Sequence, residues 1–235
     1  MAYFLSHLSI FSDLLAPRRC LLCALPLAHP LVLENEKCVL DDFLCSVCQG
    51  QLVICSQDYC LNRSHQIDRF FSGYQYGGAL AKIIPLWKYH HRSEFFPLIK
   101  VLIRLILSRL KLSAADFDLV LAIPLFHSSL KKRNFNQALF IASCGAAVLD
   151  VPLAKHQLVK NFNTPQQASL DRRARAFNLS EETFKVREPG MVEGRKILLC
   201  DDVMTTGATL KTAATVLRRA GALSISTLTL ARVES

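Results

Sequence analysis

Residues 197–210 read ILLCDDVMTTGATL. A short, unbroken apolar run without polar alternation is what a strand buried on both faces of a parallel sheet requires. Residues 196–200 are therefore expected to form a central strand. Asp201 and Asp202 then fall at its carboxyl end, where open α/β sheets gather their ligands. Thr205, Thr206, Gly207, Ala208 and Thr209 lead directly into a helix expected over 208–220. Leu210, Ala213, Ala214 and Leu217 make its apolar stripe, Arg218 and Arg219 occupy its last turn, and Gly221 stops it.

A small, hydroxyl-bearing turn at a helix amino terminus is suited to phosphate. Its free N–H groups point outward, the helix dipole favours an anion, and threonine hydroxyls add donors. Two carboxylates repel a bare phosphate, but they suit sugar hydroxyls or a cation held beside the phosphate. A phosphate grip and a diol grip a few residues apart match a phosphorylated ribose. A structural account of the same stretch also stands: a strand–loop–helix turn in which Asp202 assists capping and the threonines satisfy backbone groups. The GxxxxGK[ST] pattern of a Walker-type loop is absent.

Outward from this stretch, apolar strands and helical patterns alternate. Strands are expected at 117–123 (FDLVLAI, ended by Pro124) and 224–231, and helices at 137–148 and 170–177. Upstream, RFFSGYQYGG at 69–78 reads as a strand, followed by helices near 78–90 and 93–112. Such alternation favours a parallel sheet covered on both faces.

The 235 residues are 51% hydrophobic and 20% charged, a composition that buries a substantial core and excludes long disorder. A net charge of +9 favours anionic partners such as nucleic acid, phosphorylated metabolites or an acidic protein. MAYFLSHLSIFSDLLAPRRC at the amino terminus lacks the positive n-region and small-residue cleavage site of a secretory signal. In PLIKVLIRLILSRLKL (97–112), Lys100, Arg104 and Arg109 break the run short of the roughly 20 apolar residues that a membrane span needs. Leu98, Val101, Leu102, Leu105 and Leu112 are left to face a core. A cytoplasmic protein without a membrane span is the expectation.

Of nine cysteines, seven precede residue 61. Cys20 and Cys23, then Cys45 and Cys48, form two C-x2-C pairs separated by 21 residues. A two-residue gap lets both thiolates of a pair reach one ion, and two pairs close a tetrahedron around structural zinc. Cys55 and Cys60 are four residues apart, and they fit either a second, degraded metal site or plain unliganded thiols. Cys38 has no partner at ligand spacing, and Cys144 and Cys200 read as small buried hydrophobes.

With these residues in view, ILLCDDVMTTGATL resembles the signature of type I phosphoribosyltransferases. The two cysteine pairs, IPLFHSSLKKRNFNQA (123–138) and TPQQASLDRRARAFN (164–178), in that order, narrow the resemblance to the ComF-type phosphoribosyltransferase family, associated with natural competence and DNA uptake. The match runs from about Cys20 to Arg232. It implies a type I phosphoribosyltransferase-like parallel sheet flanked by helices at 67–235, with a zinc-ribbon or treble-clef-like module at 1–66.

The resemblance also implies roles. Asp201 and Asp202 would bind the ribose hydroxyls of phosphoribosyl pyrophosphate, and Thr205, Thr206, Gly207, Ala208 and Thr209 its 5′-phosphate, with magnesium accompanying the substrate. Pro124, Leu125 and Phe126 would approach the pyrophosphate. Lys131, Lys132 and Arg133 supply counter-charge or form a solvated helix end. Gln167, Arg172, Arg175 and Asn178 would act from a mobile loop. The chemistry implied is displacement of pyrophosphate at the anomeric carbon, driven by positioning and stabilisation of the leaving group. Where family members commonly show RGFNQ, this chain has Arg133-Asn134-Phe135-Asn136-Gln137, and Asn134 tolerates the left-handed turn that the glycine supplies.

Two functions follow. One is a phosphoribosyltransferase with an unknown acceptor. The other is a basic, zinc-bearing adaptor that binds single-stranded DNA or competence-machinery proteins, using the stretches 131–133 and 172–175.

Overall fold

In the computed structural model of the chain, the apolar run at 197–200 is a strand that outlasts its expected end: β5 runs Lys196–Met204. The structure describes residues 18–27, 39–55, 66–89, 92–126, 130–131, 133–160 and 183–234. The remaining elements of its main sheet are β1 (Arg69–Gln75), β2 (Leu119–Ala122) and β6 (Ser224–Arg232), in the spatial order β1-β6-β5-β2. All neighbours pair in parallel. β5 continues past Cys200 because its partner does: Asp201 faces Thr229, Val203 faces Ala231 and Met204 faces Arg232. A ladder is made by backbone groups, so polar side chains do not end it.

Every residue of β2 is buried, and β6 is buried from Ile225 onward. This is the profile of a sheet covered on both faces. Helix α4 (Gln137–Leu149) packs against β2 and β5, turning its small residues Ala138, Ala142, Gly145 and Ala146 inward. Helix α5 (Ala208–Arg219) packs against β6, and also against β4 (Phe184–Val186), which pairs antiparallel with β3 (Leu158–Lys160). The β3–β4 ladder is not anticipated by the sequence pattern; three residues are too few to show a period. The helix expected at 170–177 lies outside the described residues.

The chain divides into two compact units, Met1–Val53 with Gly77–Leu102, and Ile54–Tyr76 with Ile103–Ser235. In the first, Cys45 caps a four-residue helix, α1 (Ser46–Gln49). Helix α2 (Gly78–Tyr89) buries Ala79, Leu80, Ile83, Ile84 and Trp87, a single stripe at helical spacing. Trp87 meets Phe96 edge to face at 6.1 Å.

Helix α3 (Phe95–Arg109) ends earlier than its pattern suggests, and Lys111 turns left-handed at φ 52°. Its buried side is Leu98, Ile99, Leu102, Ile103 and Ile106. Leu105, expected in the core, is 42% exposed. At 100° per residue it sits about 90° from the centre of that stripe, at the edge of the buried side, where it meets water. Arg109, expected with the solvent-facing cations, is half-buried: Nη2 donates to the Gly73 carbonyl at 2.8 Å, and the guanidinium lies 5.7 Å from the Tyr74 ring. Among the described residues no helix is long and apolar enough to cross a membrane.

Candidate functional site

The turn between β5 and α5 is built by one glycine. Gly207 caps α5 with φ 74° and ψ 4°, a left-handed conformation that a side chain makes costly. Just before it, Thr206 Oγ1 accepts a hydrogen bond from Ala208 N at 3.3 Å. The first-turn N–H groups of a helix have no partners within it, and the dipole adds partial positive charge there. Residues 205–210, with Met204, Val203 and Asp201, line a hollow of about 230 Å³ including its open mouth. Thr205 and Thr206 are exposed and Gly207 is buried beneath them. The loop expected to hold phosphate therefore surrounds a single hollow.

The acidic pair divides. Successive side chains of a strand point to opposite faces, and both aspartates lie inside β5 rather than beyond it. Asp201 lines the hollow, whereas Asp202, 9% exposed, is not among its lining residues. Both carboxylates hold local backbone: Asp201 Oδ1 accepts from Asp202 N at 2.8 Å, and Asp202 Oδ1 from Val203 N at 2.6 Å. Beneath Asp201, burial foremost, then the aspartate's charge, pushes the Cys200 thiol up, so it stays a protonated, inert side chain.

The segment after β2 is tied to the same edge of the sheet. Ile123 N donates to Cys200 O at 2.9 Å. Asn136 does two jobs: its Nδ2 donates to Ile123 O at 3.0 Å, and its Oδ1 caps α4 by accepting from Leu139 N at 3.3 Å. Asn134 is left-handed at φ 60°, so the turn keeps its form with asparagine in place of the family's glycine. Arg133 is half-buried and its Nη1 donates to Oε1 of buried Gln137 at 3.3 Å, which spends part of its fork on the fold. Pro124 and Leu125 are half-buried; Phe126 and Lys131 are exposed. Lys132, Gln167, Arg172, Arg175 and Asn178 lie outside the described residues.

One residue that the sequence reading passed over stands here. Lys160, at the end of β3, is half-buried with Nζ 3.7 Å from the centroid of the Phe126 ring and 5.5 Å from that of Phe184. Burial draws its ammonium down to about 8, and the Asp201 carboxylate opposes that shift. The available signal was a lone cation closing a short QLVK run.

The four cysteines at paired spacing come together. The sulfurs of Cys20, Cys23, Cys45 and Cys48 all lie within 4.8 Å of one another, with Cys23 and Cys45 at 3.5 Å. A tetrahedron with Zn–S bonds of about 2.3 Å has edges of about 3.8 Å, so the cluster has the size that a tetrathiolate ion needs. The first pair sits on a tight turn in which Ala24 N donates to Cys20 O and Ala24 takes φ 59°. The second pair spans the start of α1, and Leu21 N joins the two through Phe43 O at 2.9 Å. Burial opposes ionisation of Cys20, but backbone N–H groups of Cys45, Cys23 and Leu22 outweigh it and bring the thiol down to about 6. Cys48 moves the other way, pushed up by burial and by the three neighbouring thiols. Cys55 is not part of the cluster; its N–H pairs with Gly73 O at 3.2 Å. Cys38 and Cys60 lie outside the described residues.

Comparisons with known proteins agree with this geometry. Residues 136–235 match the phosphoribosyl transferase domain family. The DNA utilization protein YhgH of Escherichia coli (strain K12) is 26% identical over 229 residues, covering 93% of this chain and 99% of that protein. Competence protein ComFC of Bacillus subtilis (strain 168) is 40% identical over 111 residues, 47% of this chain and 42% of that one. Competence protein F of Haemophilus influenzae is 29% identical over 115 residues, 49% of this chain and 50% of that one.

Proposed function

Because the chain belongs to the ComF-type phosphoribosyltransferase-like family, we propose that it binds phosphoribosyl pyrophosphate with magnesium and transfers the phosphoribosyl group to an acceptor. The observation that carries this reading is the hollow at the carboxyl end of β5, shared by Asp201 and the Thr205–Thr209 loop. An acidic oxygen donor and a dipole-backed ring of hydroxyl and N–H donors are what a ribose 5-phosphate presents its two ends to.

In this reading Thr205, Thr206 and Thr209 donate to the 5′-phosphate, and Gly207 lets the backbone approach it. Asp201 accepts from the ribose hydroxyls, with Asp202 supporting it through the strand. Residues 124–126 approach the diphosphate, and 164–178 supply the remaining contacts, Gln167, Arg172, Arg175 and Asn178 among them. When bound with the diphosphate, magnesium neutralises part of its charge; a carboxylate such as Asp201 is the hard oxygen donor that suits it. Positive charge developing on the sugar ring is met by Asp201, and departure of the diphosphate is aided by the cations around it. The Cys20, Cys23, Cys45 and Cys48 cluster would hold zinc with no open position, which gives that metal a structural role.

The names of the relatives, DNA utilization protein and competence protein, support a setting in competence and DNA use for the proposed activity. A second role, binding of single-stranded DNA by a chain with net charge +9, is favoured by the same names and the same charge. It is compatible with the first and differs in its salt response. Oligonucleotide affinity falls by orders of magnitude between about 50 and 200 mM salt where several phosphates are contacted, whereas pocket binding of a small ligand changes far less.

The decisive test is calorimetric titration of phosphoribosyl pyrophosphate with magnesium into the wild type and into Asp201→Asn/Asp202→Asn. Removing the charge-assisted acceptor Asp201 at about 1.5–3 kcal/mol, together with the support of Asp202, predicts an affinity loss of at least about 10-fold. Wild-type protein that is folded, zinc-loaded and silent toward the ligand would sink the transferase reading and leave the DNA-binding adaptor.

A further inference from the structure

Lys160 lies between the two places where a sugar diphosphate must be gripped. It sees Asp201 on one side, the carboxylate assigned to the sugar, and on the other it caps the ring of Phe126, in the segment assigned to the diphosphate. Resting on the proposed sugar-phosphate site, we infer that Lys160 is a substrate-contact residue that exchanges partners on binding: it balances Asp201 in the free protein and takes the diphosphate when the sugar takes Asp201.

Three observations lead there. First, Lys160 is only half-exposed: the rings of Phe126 and Phe184, at 3.7 and 5.5 Å, cover part of the ammonium. A cation held by aromatic faces has already lost much of its water, so an incoming anion need not strip it. Second, the charge that acts on it among the described residues is that of Asp201, from β5; the neighbouring loop and β4 contribute uncharged rings. Once Asp201 turns to sugar hydroxyls, the ammonium is half-buried and under-compensated, a costly state that an anion relieves. Third, Lys160 closes β3, and the β3–β4 ladder sets it opposite Phe184, which fixes the backbone that carries it. The two grips thus meet at one held cation, and the site rewards a ligand that brings both a sugar and a diphosphate.

The consequence is selectivity between phosphoribosyl pyrophosphate and ribose 5-phosphate, which share every group except the diphosphate. Titrating both ligands, with magnesium present, into wild type, Lys160→Met and Lys160→Arg tests it. Lys160→Met should weaken phosphoribosyl pyrophosphate by about 30-fold, the value of one charge-assisted contact, and leave ribose 5-phosphate within about twofold. Lys160→Arg should keep most of the preference.

Equal weakening of both ligands in Lys160→Met, or loss of the preference in Lys160→Arg as complete as in Lys160→Met, overturns the exchange while the sugar-phosphate reading stands. A folded wild type that binds neither ligand overturns both.

Discussion

Replacing Cys48 with serine, or stripping the metal with a chelator, is expected to unfold the first compact unit. Four sulfurs within 4.8 Å of one another, two of them buried to 3% and 6% exposure, are stable as thiolates only around a cation. Structural zinc contributes about 10–16 kcal/mol in zinc-finger peptides, as much as the whole net stability of about 5–15 kcal/mol that an ordinary domain has. Metal analysis of the wild type should give one zinc per chain, and Cys48→Ser essentially none. The variant's melting, followed by circular dichroism, should lose its cooperative transition or fall by more than about 10 °C. Cys55→Ser is the internal control, because Cys55 stands outside the cluster. Its zinc content should be unchanged. Wild-type protein that purifies folded and zinc-free would show that the cysteines hold together by packing alone.

The second large effect is expected at Gly73. Strand β1 crosses the other elements so closely there that an added Cβ would lie 2.2 Å from Ile106 Cδ1, 2.6 Å from Ile106 Cγ1 and 2.9 Å from the Leu230 carbonyl oxygen. The isoleucine can rotate away, but the backbone oxygen cannot, because it belongs to a buried ladder. The Gly73 carbonyl is itself fixed by donors from Cys55 N and Arg109 Nη2. Gly73→Ala should therefore cost about 3 kcal/mol, at the upper end of overpacking effects, and lower the melting temperature by roughly 6–12 °C. Denaturant titration checks the same figure. In a double-mutant cycle with Ile106→Ala, the two losses should be less than additive, since the second change removes one of the two obstacles. Strict additivity would mean that β1 shifts as a whole to accept the methyl group.

How much of this was legible depends on the range over which each feature is encoded. The Thr205–Thr209 loop and the two cysteine pairs are short patterns in which spacing alone implies geometry, and the structure assembles both. The parallel sheet was legible because β2 is apolar throughout and β5 opens on the unbroken apolar run 197–200, although β6 buries Ser226, Thr227 and Thr229 among its apolar residues. The end of β5 was not, because a strand stops where its partner stops, and β6 is a separate stretch of chain. The same limitation hid the outlook of the acidic pair: which aspartate lines the hollow is decided by the pleat, one residue at a time. Leu105 was misplaced because the stripe of α3 is centred on Leu102 and Ile106 rather than on the gaps between its cations. Lys160 carried no motif. Its position became informative only when β3 folded beside Phe126 and Asp201, residues that are 34 and 41 positions away along the chain. The compositional boundary at 66/67 follows cysteine content, whereas the compact units follow contacts, and so they interleave along the chain.

The order β1-β6-β5-β2 also sets a timetable. Arg69 in β1 pairs with Ser226 in β6, 157 residues further along the chain, and β6 is hydrogen-bonded on both sides. Until residues 224–232 have been synthesised, β1 lacks its sheet partner and β5 has one open edge. A growing chain must therefore carry its apolar strands unpaired for most of its synthesis, when such edges invite aggregation. Closing a contact of that separation is also slow. Yield from the cell should thus depend on translation speed and chaperone supply more than on the stability of the finished protein, and a nascent chain arrested before residue 224 should remain protease-sensitive throughout the sheet.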